Sequence, residues 1–179
     1  MSNKTQKCAE KVTEVAASQI EDIRLMLCPD EDDAKLNGTT ILLGDIEYEV
    51  TEDDVNSWRE EDGCMSETAI ACLIGTHWEE IREQAYDRFH EYALSFDYIE
   101  ATDDHSGYFC YLISTGGPGT EIRFYADPGF HLHKAEFWNF DWFDGAHKVV
   151  TRDPTIEALW EILRECSAEH TYRQACGNE

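Results

Sequence analysis

Apolar residues recur every three or four positions through Cys8, Val12, Val15, Ala16, Ile20, Ile23 and Leu27. That period puts them on one helical face and predicts a helix over about residues 7–28. Cys28-Pro29 ends it, since proline bars the preceding residue from helical geometry. Asp30, Glu31, Asp32 and Asp33 follow without interruption, a run that suits only a solvated loop or a contact surface. Residues 39–50 read as a strand or short hairpin broken at Gly44. The second half alternates, with Ile46, Tyr48 and Val50 to one side and Asp45, Glu47 and Glu49 to the other. Thr51 with Asp54 three residues on is an N-cap signal, predicting a short acidic helix from Glu52 to about Glu61 that includes Asp53 and Glu60. Ser66 starts a further short helix over residues 68–74, interrupted by Gly75. Thr76-His77-Trp78-Glu79 reads as a capping box for a longer helix with Trp78, Ile81, Ala85, Phe89, Tyr92 and Phe96 on its apolar face. The other face carries Glu79, Glu80, Glu83, Asp87 and Glu91, with Arg82 and Arg88 placed for local pairing.

After Asp103-Asp104 the pattern turns aromatic and β-rich. Residues 108–114, 121–126, 130–142 and 146–150 read as four strands, joined by Thr115-Gly116-Gly117-Pro118-Gly119, Asp127-Pro128-Gly129 and Asp144-Gly145. Short turns imply an antiparallel meander. Asp153 as N-cap and Pro154 at the first helical position open a last helix, with Ile156, Leu159, Trp160 and Leu163 inward, and the tail after about Ser167 is expected to be loosely held. The expected class is α+β: an acidic, mainly helical part over residues 1–104 packed with a four-stranded antiparallel meander and a C-terminal helix over 105–179, in one compact domain.

Charge changes the picture. The chain has 38 Asp and Glu against 14 Lys and Arg, a formal net charge of −24. Residues 1–104 hold 27 acids against 8 bases, residues 105–179 only 11 against 6. A chain so charged repels itself and every phosphate backbone, which argues against direct nucleic-acid binding. It is no disordered acidic tail, because 42% hydrophobic residues with eight Phe, eight Tyr and five Trp suffice for a core. Salt adaptation spreads acid over a whole surface, whereas a contact face concentrates it, and the uneven distribution favours the second. Seven cysteines (Cys8, Cys28, Cys64, Cys72, Cys110, Cys166 and Cys176), odd in number and without a C-x-x-C, fit a reducing cytoplasm. The N-terminal stretch lacks the apolar core of a signal peptide, and no apolar run reaches membrane-spanning length, so a cytoplasmic protein without membrane contact is expected.

Candidate catalytic chemistry is sparse. His131 and His133 share one face of a predicted strand and His147 lies on its neighbour, a possible three-ligand set, but the spacing of known metal signatures is missing and no metal or cofactor is expected. The run 114–119 lacks the Gly-Lys-Ser/Thr of a phosphate-binding loop and reads as a hairpin turn. Cys110, in mid-strand between Phe109 and Tyr111, has no nucleophile motif around it. No enzyme is expected. In residues 137–143, alternation assigns Trp138, Phe140 and Trp142 to the core against the last helix, and leaves Phe137 and Phe143 for exposure or a homodimer contact through the aromatic back half.

The densest acid lies in residues 30–33 and 45–62, where Asp30, Glu31, Asp32, Asp33, Asp45, Glu47, Glu49, Glu52, Asp53, Asp54, Glu60, Glu61 and Asp62 are the candidate partner-binding residues. Side chains two apart on a strand stand roughly 6.6 Å apart, and phosphates of one DNA strand advance about 3.4 Å each along the axis. Such a row of carboxylates can engage the Lys and Arg of a nucleic-acid-binding site. A small, folded, strongly acidic chain without a catalytic motif resembles the DNA-mimic inhibitors of phages and plasmids, including antirestriction and anti-CRISPR proteins. Over residues 108–150, Gly116-Gly117-Pro118 and Asp141-Trp142-Phe143-Asp144-Gly145-Ala146 are also similar to mobile-element proteins. The resemblance implies an inhibitor that occupies the DNA- or RNA-binding site of a host defence complex. The alternatives are an immunity protein or antitoxin that neutralises a basic toxin, and an acidic protein of a salt-loving organism without mimicry.

Overall fold

The computed structural model describes residues 2–59, 63–116, 118–142 and 144–177, with side chains from Cys8 onward. They fall into two compact units: an inserted unit, Asp22–His90, and a sheet unit made of Met1–Glu21 with Glu91–Glu179. Helix α1, Ser2–Leu27, contributes to both. The expected helical period is realised, with Cys8, Val12, Ala16, Ile20, Ile23 and Met26 buried. The class is α+β.

In the inserted unit a single 3-10 turn, Glu31–Asp33, leads into a three-stranded antiparallel sheet of β1 (Lys35–Asn37), β2 (Thr40–Leu43) and β3 (Ile46–Glu49). The strands are joined by the two-residue turns Gly38-Thr39 and Gly44-Asp45, closed by the pairs Asn37↔Thr40 and Leu43↔Ile46. Positive φ falls only on the glycine of each turn, 66° and 59°, as a type II′ hairpin requires. Ile41, Leu43 and Ile46 are buried. Helices α2 (Glu52–Ser57), α3 (Glu67–Thr76) and α4 (Trp78–Tyr92) follow.

The sheet unit carries β4 (Ser95–Ile99), β5 (Tyr108–Ser114), β6 (Pro118–Ala126), β7 (Leu132–Asp141) and β8 (Asp144–Val149) in sequence order, each antiparallel to the next. One face holds Phe109, Tyr111, Ile122, Phe124 and Phe137, all buried. Trp160 of α5 (Pro154–Leu163) packs on it, its ring 5.3 Å from both Phe109 and Phe124. Asp153 caps α5, accepting from the Thr155 amide at 3.0 Å. A π turn, Arg164–Ala168, and α6, Glu169–Ala175, complete the unit.

The expected four-stranded meander is overturned: among the described residues eight strands lie in sheets of three and five. Phe96 does not extend α4. That helix stops at Tyr92, and Phe96 lies in β4, paired with Tyr111 and stacked on Phe109 at 5.7 Å. Sheet pairing thus overrides a four-residue spacing that continued by coincidence. The change of pattern near Asp104 falls between β4 and β5 of one sheet. Residues 35–37 also form an unexpected strand. The Thr76 capping box is not built, because Thr76 ends α3 and its hydroxyl donates back to the Cys72 carbonyl at 2.8 Å. The tail is held: Tyr172 of α6 meets Tyr98 edge-on at 4.8 Å and Phe130 at 6.0 Å.

Candidate functional site

The inserted unit holds 19 Asp and Glu against 5 Lys and Arg in its 69 residues. Residues Asp30 to Asp33 wrap a capped 3-10 turn. Asp30 accepts from the Asp32 amide at 3.3 Å, while its own amide donates to Asp33 at 2.9 Å. Asp33 also receives both Arg24 nitrogens, at 3.0 and 2.9 Å, which ties the turn to the end of α1. The Arg24 hydrogen bonds hold the Asp33 carboxyl below the ordinary range. Asp33 is therefore spent inside the fold, and Asp30, Glu31 and Asp32 are the exposed acids of the turn.

On β3, Glu47 and Glu49 face solvent and Ile46 faces the core, as alternation predicts. Glu49 accepts from the Thr40 hydroxyl across the pair at 3.0 Å. Asp45 is not the third member of that row: it occupies the Gly44-Asp45 turn, where alternation ends. Thr51 and Asp54 form the expected capping box, with Oδ2 of Asp54 receiving the Thr51 amide at 3.1 Å and hydroxyl at 2.6 Å. The Thr51 hydroxyl lowers the Asp54 pKa. Helix α2 ends at Ser57, short of the expected reach, leaving Glu52 and Asp53 exposed at its start. Glu60, Glu61 and Asp62 lie outside the described residues. Exposed Glu79, Glu80, Glu83 and Asp87 on α4 extend the acid of this unit, and the sequence shows them only as one helix face.

The second face of the five-stranded sheet carries an arrangement that sequence reasoning missed. Phe137 is wholly buried, not exposed, whereas Trp138 and Phe140 stand on the opposite face, away from Trp160. Ile122, which pairs with Phe137, fixes that parity. Phe143 lies outside the described residues. On this face the Arg123 guanidinium lies 4.1 Å from the Trp138 ring, 4.7 Å from Tyr108 and 5.7 Å from Phe140. Its Nε meets Glu121 at 2.5 Å. Burial alone would lower the Arg123 pKa, but the Glu121 carboxylate together with Tyr108 and Tyr125 outweighs it and raises the pKa. Glu136 is 4% exposed. It receives Lys134 Nζ at 2.8 Å, Tyr125 Oη at 3.1 Å and Trp138 Nε1 at 3.1 Å. Burial pushes its pKa up, yet these donors override burial and hold it below the usual range.

At the end of that face Trp142 is 75% exposed with φ 57°, a left-handed conformation that costs an L residue about 1 kcal/mol or more. With Phe140, Glu121, Leu112, Ser114 and Thr115 it lines an open depression of about 450 Å³. Phe140 closes over Gly145, where a Cβ would stand 3.1 Å from its ring.

The three candidate histidines are not brought together. His131 precedes β7 and binds Asp127 at 3.1 Å, His133 is exposed at the start of β7, and His147 stacks on Trp138 at 4.5 Å. Among the described residues no group of three His, Cys, Asp or Glu is placed to hold a metal ion. Burial, followed by Glu121, pushes the Cys110 thiol up to about 12, so it is no thiolate at neutral pH.

No family model, curated protein or solved structure matches this chain. Among the described residues no helix is long and apolar enough to cross a membrane.

Proposed function

We propose that the protein is a non-catalytic inhibitor whose inserted unit presents carboxylates to the nucleic-acid-binding site of a basic partner in a reducing cytoplasm. The resembled antirestriction and anti-CRISPR inhibitors set the class of partner, a host defence complex. The carrying observation is the exposed pair Glu47 and Glu49 on β3, with Asp45 at the preceding turn and Glu52 and Asp53 exposed at the start of α2. The two strand carboxylates stand roughly 6.6 Å apart by strand geometry. They sit on a hydrogen-bonded hairpin, which spares the entropy of ordering an acidic tail on binding. Asp33 and Asp54 serve the fold instead, and reversing them would confuse loss of binding with loss of structure.

Binding driven by such a surface is steered by charge and weakens with salt. The test captures the partner from a host lysate and measures affinity at about 50 mM and about 500 mM salt, the second screening charges beyond a few ångströms. Asp45→Lys, Glu47→Lys and Glu49→Lys together should weaken binding by more than about tenfold, while Glu157→Lys, Glu161→Lys and Glu165→Lys together should change it little. The partner should release its DNA or RNA as this protein binds. A partner that holds both at once, or equal loss from the two triple variants, would overturn the proposal.

A further inference from the structure

Strand β8 ends the order β4-β5-β6-β7-β8, so one of its sides pairs with no strand of this sheet. Just beyond it, the Val150 amide donates to the Ala135 carbonyl of β7 at 2.9 Å. Hydrogen bonding alternates along an antiparallel strand. Ala146 and Lys148 therefore turn their backbone groups to β7, and Gly145, His147 and Val149 turn theirs outward. All three are exposed. Edges are commonly blunted by proline or a bulge, but β8 has no proline and pairs with β7 from Asp144 to Val149 without a register shift. Charge distinguishes this edge from the other. Residues 145–152 hold no Asp or Glu, only Lys148 and Arg152, in a chain of net charge −24, whereas β4 carries Asp97 with Glu100 beside it. Two copies of this chain repel each other less at β8 than at β4, and a basic partner gains nothing from an edge that carries Lys148 and Arg152.

The outward residues are also complementary to themselves. With His147 of two antiparallel copies opposite each other, Gly145 of each stands opposite Val149 of the other, and all three outward residues exchange both hydrogen bonds. Shape agrees with that register. Phe140 closes over Gly145, where a Cβ would stand 3.1 Å from its ring, and Val149 is 59% exposed on the same sheet face. Val149 of one copy thus comes to lie beside Phe140 of the other, over the residue that has no side chain. On the opposite face Lys148 stands across from the small Ala146. We infer that the free edge of β8 pairs antiparallel with β8 of a second copy about a twofold axis at His147, joining the two five-stranded sheets into one. A homodimer contact through the back half is then made by strand backbone and not by Phe137, which is buried. The inference takes nothing from the proposed function, and its test uses no basic partner, so either reading can fail without the other.

Sedimentation equilibrium of the full-length protein tests this at about pH 8, where histidine is neutral, and about 500 mM sodium chloride, where repulsion between chains is screened. The expected result is a concentration-dependent shift from the mass of one chain to twice that mass. His147→Pro removes an outward N–H without removing a bond to β7, and should weaken the dimer by about tenfold or more. Val149→Glu, which brings a carboxylate beside Phe140 of the second copy, should weaken it as well. Trp58→Ala, removing an exposed indole of the inserted unit, should leave it unchanged. In a mixture of labelled and unlabelled chains, an isotope-filtered NOE should join the Ala146 and Lys148 α-protons of different copies, because those residues form the non-hydrogen-bonded pairs of the joint. An unchanged indole peak from the buried Trp160 would show that each variant keeps its fold. A dimer that survives His147→Pro, or a dimer without that NOE, would overturn the inference. So would the mass of one chain at every concentration, which would leave the edge to a strand of another protein.

Discussion

Glu136 shows how much a single carboxylate can organise. Lys134, Tyr125 and Trp138 all donate to it on the sheet face, so its charge is stabilised where burial alone would remove it. Its folded pKa lies below the unfolded one, so the stability it gives is present above the ordinary carboxylate pKa and is lost as pH falls through the folded value. Glu136→Gln keeps the shape but not the charge, and should cost about 1–2 kcal/mol at pH 7. Denaturant titrations should show that difference shrinking as pH falls from the ordinary carboxylate range through the lower folded pKa; a difference that stays constant over the whole acid range would mean packing, not charge, is at stake. Asp33 follows the same sign through Arg24. Arg24 and Asp33 are both partly exposed, so Arg24→Met should cost only about 1 kcal/mol in chemical denaturation at neutral pH. Neither role was legible in the chain. Asp33 reads as one acid in a run of four, and Glu136 disappears among the aromatics of β7, where Ala135 and Phe137, not Trp138 and Phe140, point to the core. Alternation gives two faces but does not say which is covered, and Phe137 differs from Trp138 only through the pairing of its strand.

The sequence marked four ends by local chemistry, although α3 runs through Gly75 to Thr76 without the expected interruption or capping box. Cys28-Pro29 stops α1, Ser66 caps α3, Thr51 and Asp54 cap α2, and Asp153-Pro154 opens α5. It failed where an end is decided by a distant partner: β4 exists because β5 pairs with it, and β1 because β2 does. The two type II′ turns of the inserted unit make this measurable. A Cβ at Gly38 meets nothing within 4 Å, whereas at Gly44 it would stand 2.8 Å from Leu25 Cδ1. Gly38→Ala should therefore cost about 1 kcal/mol from its positive φ alone. Gly44→Ala should cost more, because Leu25 must also turn away. Thermal denaturation of the two variants checks the order, and equal losses would mean that Leu25 repacks freely.

At the scale of the whole molecule, negative charge acts against the fold as well as for any basic partner. Self-repulsion in a chain of net charge −24 is relieved by screening. Calorimetry between about 10 mM and about 500 mM sodium chloride should therefore show Tm rising with salt, the opposite direction from the expected salt dependence of partner binding. A flat or falling Tm would mean that ion pairs offset the repulsion. The excess of acid in the front half was plain from composition, but its arrangement was not, because the units divide at residues 21–22 and 90–91 and one of them is discontinuous. That discontinuity bears on biosynthesis. Residues 22–90 leave the ribosome before any strand of the larger sheet exists, so the acidic unit can fold while the preceding 21 residues still wait for theirs. If it stayed unfolded, bringing residues 1–21 back to residues 91–179 would close a flexible loop of 69 residues, at an entropic cost of about 4 kcal/mol before the constant term. A folded insert replaces that loop with a body of fixed span, so translation order favours completing the acidic unit first and the five-stranded sheet last.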